Sequence, residues 1–299
     1  MQKLNFKATA FLLLQFLLTT QIYSQTINGN PLSSYSKLNT SQAKTIVLIH
    51  GMYQNNHSWA KWKEYFEQKG YTVYAPSYPY HIGTPQYLNE NIDPKLVNLT
   101  FKPVLEYMTA FVDSLPVKPI IIGHSIGGLI MQKLVEADKA ALGIALAPAN
   151  PPKISVFNWR YIRSNFRMVN PFRRRNIVCR PNDEYRWLNF TFFNTLDDST
   201  AKSEIAKYFV PESRKFAKST AKECSPINFS KPHVPMLFIS GEKDNDLPPP
   251  LIYKNYLAYT NKESKINYFQ FPNKSHYIAS EPGWEDVVKY IEDWIELNR

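Results

Sequence analysis

Lys118-Pro119-Ile120-Ile121-Ile122-Gly123-His124-Ser125-Ile126-Gly127-Gly128-Leu129-Ile130 is the stretch on which the reading of the whole chain turns. An apolar run of strand type meets Gly-x-Ser-x-Gly, and residues 129–137 continue with helical character. Glycines at 123 and 127 allow the close backbone approach of a sharp strand-to-helix turn, where a Cβ would clash. Ser125 then stands at the apex, its backbone strained and its hydroxyl exposed above the start of the helix. Gly-x-Ser-x-Gly by itself occurs by chance in long sequences. The strand before it and the helix after it supply the context that gives it chemical meaning.

Outward from this turn, strands and helices alternate. The run 45–50 is continuously apolar and ends in Gly51. Residues 58–69 carry Trp59, Trp62, Tyr65 and Phe66 at helical spacing and close on Gly70, the usual residue just past a helix end. Residues 71–75 read as a strand stopped by Pro76. Residues 78–93, rich in Pro, Gly and Asn, read as a long surface loop, and 103–115 as a helix opened by Pro103. Further strands are expected at 141–147, 236–240 and 266–271. A last helix is expected at 284–297, with Val287, Val288, Ile291, Trp294 and Ile295 on one stripe. The alternation predicts an α/β fold with a mostly parallel central sheet flanked by helices. Core segments at 25–147 and 233–299 then bracket residues 148–232, where the rhythm breaks. That insertion lacks buried-strand runs and holds Trp159, Tyr161, Phe166, Phe172, Tyr185, Trp187, Phe190, Phe192, Phe193, Tyr208 and Phe209. It reads as a mainly helical cap over the C-terminal edge of the sheet, its aromatics forming chiefly its own core.

Residues 1–24 stand apart. Lys3 and Lys7 precede an apolar stretch, 8–18, followed by a short mixed segment ending in Ser24. This is the layout of a secretory signal peptide cleaved after Ser24, with export to the periplasm or the exterior as its consequence. The stretch is short for a membrane span, and an uncleaved N-terminal anchor is the alternative reading. Residues 25–44 are polar, carry the turn signal Asn28-Gly29-Asn30-Pro31, and contribute at most a peripheral strand. An oxidising compartment permits a bridge between Cys179 and Cys224, and sequence leaves that pairing open. Neither cysteine has metal-site or redox-motif spacing.

Charge is concentrated in the insertion. Residues 149–232 hold 16 Lys and Arg against 7 Asp and Glu, nearly the whole formal excess of +10. No recognition motif accompanies it, so nucleic acid is not an expected partner. A membrane surface is conceivable through the basic cap, but scattered arginines read better as a solvated face, and the composition suits a monomer.

A serine hydroxyl needs a base to take its proton, and the base needs a carboxylate to orient it. Of six histidines, His50 and His57 come too early, His81 sits in a loop before the serine, and His124 adjoins it. His233 belongs to the return from the insertion. His276 follows the last strand and precedes the last helix, where a base can hang over the site. The acid should follow the strand 236–240, where Glu242, Asp244 and Asp246 compete. The Gly-x-x-Asp pattern with Pro248 beyond it favours Asp244, and Asp246 is the alternative. Donors for a developing oxyanion are expected from the backbone N–H groups of Ile126 and Met52.

Together, His50-Gly51, the turn 123–127, Gly241 to Asp244, and His276 resemble the α/β-hydrolase superfamily over about residues 45–297. A closer likeness is to a group of bacterial α/β-hydrolases. The shared features are Trp59, the Lys-Gly-Tyr-Thr-Val-Tyr-Ala-Pro segment 69–76, Ala-Pro-Ala-Asn-Pro-Pro at 147–152, and Phe-Phe-Asn-Thr-Leu at 192–196. The resemblance implies an eight-stranded core, a Ser125–Asp244–His276 triad, and ester-type hydrolysis without cofactor; no metal is expected, and the aromatic insertion favours small to medium acyl or aromatic esters cleaved through an acyl-serine. The serine argues against dehalogenation and epoxide opening, which use an aspartate at that turn. An acyltransferase with the same triad and a non-catalytic binding homologue are the alternatives.

Overall fold

The computed structural model describes residues 44–170, 172 and 177–299. The expected signal peptide at 1–24, and all but the last residue of the stretch 25–44 where at most a peripheral strand is expected, lie outside the described residues.

The first half of the core runs β1 (Thr45–Ile49), α1 (Ala60–Gln68), β2 (Thr72–Tyr74), α2 (Pro85–Glu90), α3 (Phe101–Asp113), β3 (Ile120–His124), α4 (Ile126–Glu136) and β4 (Leu142–Leu146). The insertion follows: α5 (Trp159–Val169), β5 (Val178–Cys179), α6 (Tyr185–Phe192), α7 (Asp198–Tyr208), β6 (Glu212–Ser213) and α8 (Arg214–Glu223). The second half is β7 (Met236–Gly241), α9 (Pro249–Ala258), β8 (Ile266–Phe271) and α10 (Trp284–Asn298). Among the described residues the main sheet has six strands in the order β2-β1-β3-β4-β7-β8, not the eight that the family likeness implies. Every pairing in it is parallel.

Continuous aliphatic runs make the central strands, because both sheet faces are covered. Every residue of β3, β4 and β7 is buried. Each fully buried Ile or Leu there contributes roughly 1.5–3 kcal/mol relative to exposure. Parallel register sets Ile49 beside Gly123 and His124 beside Leu146, so β1, β3 and β4 end together. That shared C-terminal edge is where the site forms.

Two elements differ from the sequence reading. The expected loop at 78–93 contains α2, which Thr84 caps by accepting from Tyr87 N–H at 3.2 Å, with Pro85 at its first turn and Leu88 buried. Helix α3 begins two residues before Pro103. Its free N–H groups are met from α8: Phe101 N–H donates to Ser219 Oγ at 2.8 Å and Lys102 N–H to Glu223 at 2.7 Å.

The insertion is helical apart from the two-residue antiparallel ladder β5–β6. Its core joins Met168, Cys179, Leu188, Phe192, Phe193, Ala201, Ile205 and Phe209 to two residues of the sheet domain, Tyr53 and Tyr277. The aromatics are less inward than expected: Trp159, Phe166 and Phe172 face solvent. Nor is the basic character all solvated. Arg214 is buried and donates to the carbonyls of Arg167, Met168 and Asn170 at the C-terminal end of α5, where a cation complements the helix dipole. Cys179 and Cys224 are buried free thiols in two different apolar clusters.

Candidate active site

Ser125 has φ 55° and ψ −121°, a left-handed conformation that costs a side-chain-bearing residue roughly 1–3 kcal/mol. The surroundings enforce it. Ser125 N–H donates to Leu146 O at 3.0 Å, and its carbonyl accepts from Gly128 and Ala149 N–H at 2.9 and 2.8 Å. A Cβ on Gly123 would lie 2.1 Å from the Gly127 carbonyl oxygen, and one on Gly127 2.3 Å from that of Ile49. Only glycines allow the strand to fold back into α4 this tightly. Ile126 is the first residue of α4, where backbone N–H groups have no partner within the helix. Gly51 packs against the same turn, its Cβ direction 3.1 Å from Ser125 Cβ, which brings the Met52 loop alongside.

His276 is fully buried, in the turn between β8 and α10. Its Nδ1 lies 2.8 Å from Asp244 Oδ2. The other Asp244 oxygen accepts from the N–H groups of Asp246 and Leu247, each at 2.8 Å, so the carboxylate cannot rotate away. An Nδ1–H donated to Asp244 leaves Nε2 as the free lone pair, and Nε2 has no hydrogen-bond partner among the described residues. The edge of Phe192 covers the ring, centroids 5.0 Å apart. Asp246, the other acid considered, lies across the ring, 3.6 Å from Nε2. The serine turn and the histidine turn are linked by His124, whose Nε2 donates to the His276 carbonyl at 2.8 Å.

A model of the α/β hydrolase family matches residues 46–288. The chain belongs to the α/β-hydrolase family. Comparison with curated proteins finds no match. Among solved structures, a methylesterase from Arabidopsis is similar at 14% identity and TM-score 0.60, over 85% of this chain and 99% of that one. A monoacylglycerol lipase from Paleococcus ferrophilus is similar at 18% identity and TM-score 0.53, over 85% and 95%. A tomato methylketone synthase bound to 2-tridecanone is similar at 17% identity and TM-score 0.59, over 86% and 99%. Identities this low establish a shared fold.

Several further residues support this α/β-hydrolase site, Glu281 and Glu212 among them without a signal in the sequence. Glu281, buried, accepts from Ser275 N–H at 2.8 Å, from Ser275 Oγ at 3.1 Å, and from Thr195 of the insertion at 2.5 Å, pinning the His276 turn to the cap. His50 donates from Nδ1 to the Gly51 carbonyl at 2.8 Å and accepts at Nε2 from Tyr78 N–H at 3.2 Å, fixing the Met52 loop from below. Glu212 reaches from β6 to accept from Tyr53 N–H at 3.3 Å, and faces His81 Nε2 at 3.4 Å.

The charges follow from these neighbours. Burial, with the His81 charge beside it, lowers His50 to a pKa of about 3; burial and the His276 charge do the same to His124. Both stay neutral. Burial also opposes charge on His276, but the Asp244 charge and hydrogen bond, with the Asp246 charge, carry its pKa above the ordinary imidazole value. His81 is raised in the same way by Glu212, against its own burial.

Proposed function

We propose that this α/β-hydrolase is an exported serine ester hydrolase that cleaves small to medium acyl or aromatic esters through an acyl-serine intermediate. In this reading Ser125 is the nucleophile, His276 the general base and Asp244 its orienting acid, while the N–H groups of Met52 and Ile126 receive the oxyanion. The observation that supports it is a buried imidazole, tied through His124 to the turn that holds the strained Ser125, with Nδ1 on Asp244 and Nε2 left without a hydrogen-bond partner among the described residues.

The Ser125 hydroxyl proton passes to Nε2 as Oγ bonds to the ester carbon, and the carbonyl π pair moves onto oxygen. Each oxyanion donor typically stabilises that charge by about 2.7–4 kcal/mol. Asp244 stabilises the imidazolium without taking its proton. Nε2–H then gives the proton to the departing alcohol oxygen as the C–O bond breaks. Water repeats the sequence on the acyl-serine and restores the hydroxyl. Transfer to an alcohol acceptor uses the same steps, and the burial of Ser125, with that of His276 beside Phe192, favours that second reading by restricting water. The esterase and lipase neighbours support ester chemistry, and the export reading rests on residues 1–24.

A fluorophosphonate probe followed by peptide mapping tests the assignment. Labelling confined to the peptide containing Ser125, and lost in Ser125→Ala together with p-nitrophenyl butyrate turnover, is the expected result. Undiminished turnover by Ser125→Ala overturns it.

A further inference from the structure

Asp246 meets the same imidazole as Asp244, from the opposite end. Its Oδ2 lies 3.6 Å from His276 Nε2. The insertion holds it there: Asn165 Nδ2, on α5, donates to Asp246 Oδ1 at 3.2 Å and to its carbonyl at 3.3 Å. Tyr161 of the same helix also faces it, its hydroxyl pushed up by burial and by the Asp246 charge. The titratable groups around this carboxyl are thus His276, Asp244 and Tyr161. Its own pKa is raised to about 6, chiefly by burial; His276 and Asn165 pull it down and Asp244 pushes it up. Above that pH it carries a charge, and its side chain keeps 15% exposure, so it borders accessible space.

In the mechanism proposed above, Nε2 delivers a proton to the departing alcohol oxygen, across a donor–acceptor distance of about 2.6–3.2 Å. An oxygen so placed lies within about 7 Å of the Asp246 carboxylate. We propose that Asp246 is a specificity-determining residue that selects the alcohol part of the substrate, preferring esters of cationic alcohols to neutral ones and rejecting alcohols that carry a carboxylate. This rests on the ester-hydrolase reading. The charged group of such an alcohol sits a few bonds beyond that oxygen, so within about 10 Å of the carboxylate, and at an effective dielectric near 20 it changes kcat/KM on the order of tenfold. Arg160 and Lys243, which line a depression of about 580 Å³ bordering the same loop at Asn245, are the opposing influence. If they dominate, the ranking reverses.

Three butyrate esters that share one acyl-enzyme make the test: those of choline, of 3,3-dimethylbutanol as its neutral isostere, and of 3-hydroxypropionate. At pH 8 the wild-type protein is expected to rank them in that order, each step about tenfold in kcat/KM, with the spread narrowing as pH falls below about 6. Asp246→Asn is expected to collapse the spread to less than threefold, and Asp246→Glu to keep it; Asp246→Ser serves as a second charge-free variant if Asn does not fold. A spread that persists in a folded charge-free variant, or a preference for the carboxylate ester, overturns the proposal. Imidazole titration by NMR gives a readout independent of turnover. Losing the Asp246 charge is expected to lower the His276 pKa, and an unchanged value also counts against the proposal. Failure of all three esters together with absence of fluorophosphonate labelling brings down the hydrolase reading itself, and this inference with it. Labelling with an inverted ranking brings down only the inference.

Discussion

Four histidines among the described residues are fully buried, and two regions of the molecule treat them in opposite ways. On the floor of the site, at the ends of β1 and β3, His50 and His124 meet backbone groups, and burial holds them neutral with pKa values of about 3. On the rim facing the insertion, His276 and His81 are buried just as deeply, but each faces a carboxylate and is raised. Depth alone therefore does not decide the charge of an imidazole here; the placement of Asp244 and Glu212 does. The floor is scaffold, and the rim carries the protons.

The comparison breaks most sharply at activity. Asp244→Asn, which removes the carboxylate that fixes the tautomer, is expected to lower kcat on esters about ten-thousandfold with the fold retained by circular dichroism. A loss under tenfold would place the orienting group elsewhere. Next in size is stability on the rim. Glu212→Gln leaves His81 facing a neutral amide, and breaking a buried pair of this kind is expected to cost about 3–5 kcal/mol in urea unfolding. A change below about 1 kcal/mol would show that the pair is not charged.

The two regions also predict opposite limbs of the stability–pH curve. His50 and His124 have depressed folded values, so the unfolded chain binds more protons between pH of about 3 and the ordinary imidazole value of about 6.5. Their contribution is complete above about 6.5 and is lost on acidification towards 3. His81 and His276 are raised, so theirs is complete below about 6.5 and is lost as pH rises through their folded values. Urea midpoints measured across pH are expected to peak near neutrality, with His50→Gln flattening the acid limb and His81→Gln the alkaline one. The smallest effect sharpens the rim further: Tyr277→Phe breaks the 2.7 Å bond to Glu204 and is expected to cost about 1.5–3 kcal/mol at most.

The central strands were legible because residues such as 45–49 and 120–122 are unbroken aliphatic runs, which only a doubly covered sheet requires. Helix α2 was not, since its Pro85 and the Gly83 before it read equally well as loop punctuation until Thr84 caps the turn. The start of α3 differs because the acceptors that complete it come from α8, more than a hundred residues later. Distance in sequence also hid the pairing of His81 with Glu212 and the bond from Thr195 to Glu281, since each joins elements far apart in the chain. Between Asp244 and Asp246, local pattern gave a preference; the two ends of one imidazole ring distinguish their positions.

Tyr53 and Tyr277 belong to the apolar cluster of the insertion, yet each directly follows a residue proposed for the chemistry, Met52 and His276. Any swing of the lid wide enough to admit a molecule must tug both of these neighbours out of register. Displacing the insertion is therefore expected to disorder the Met52 and His276 positions together, so that access to the candidate site and the order of the site are coupled.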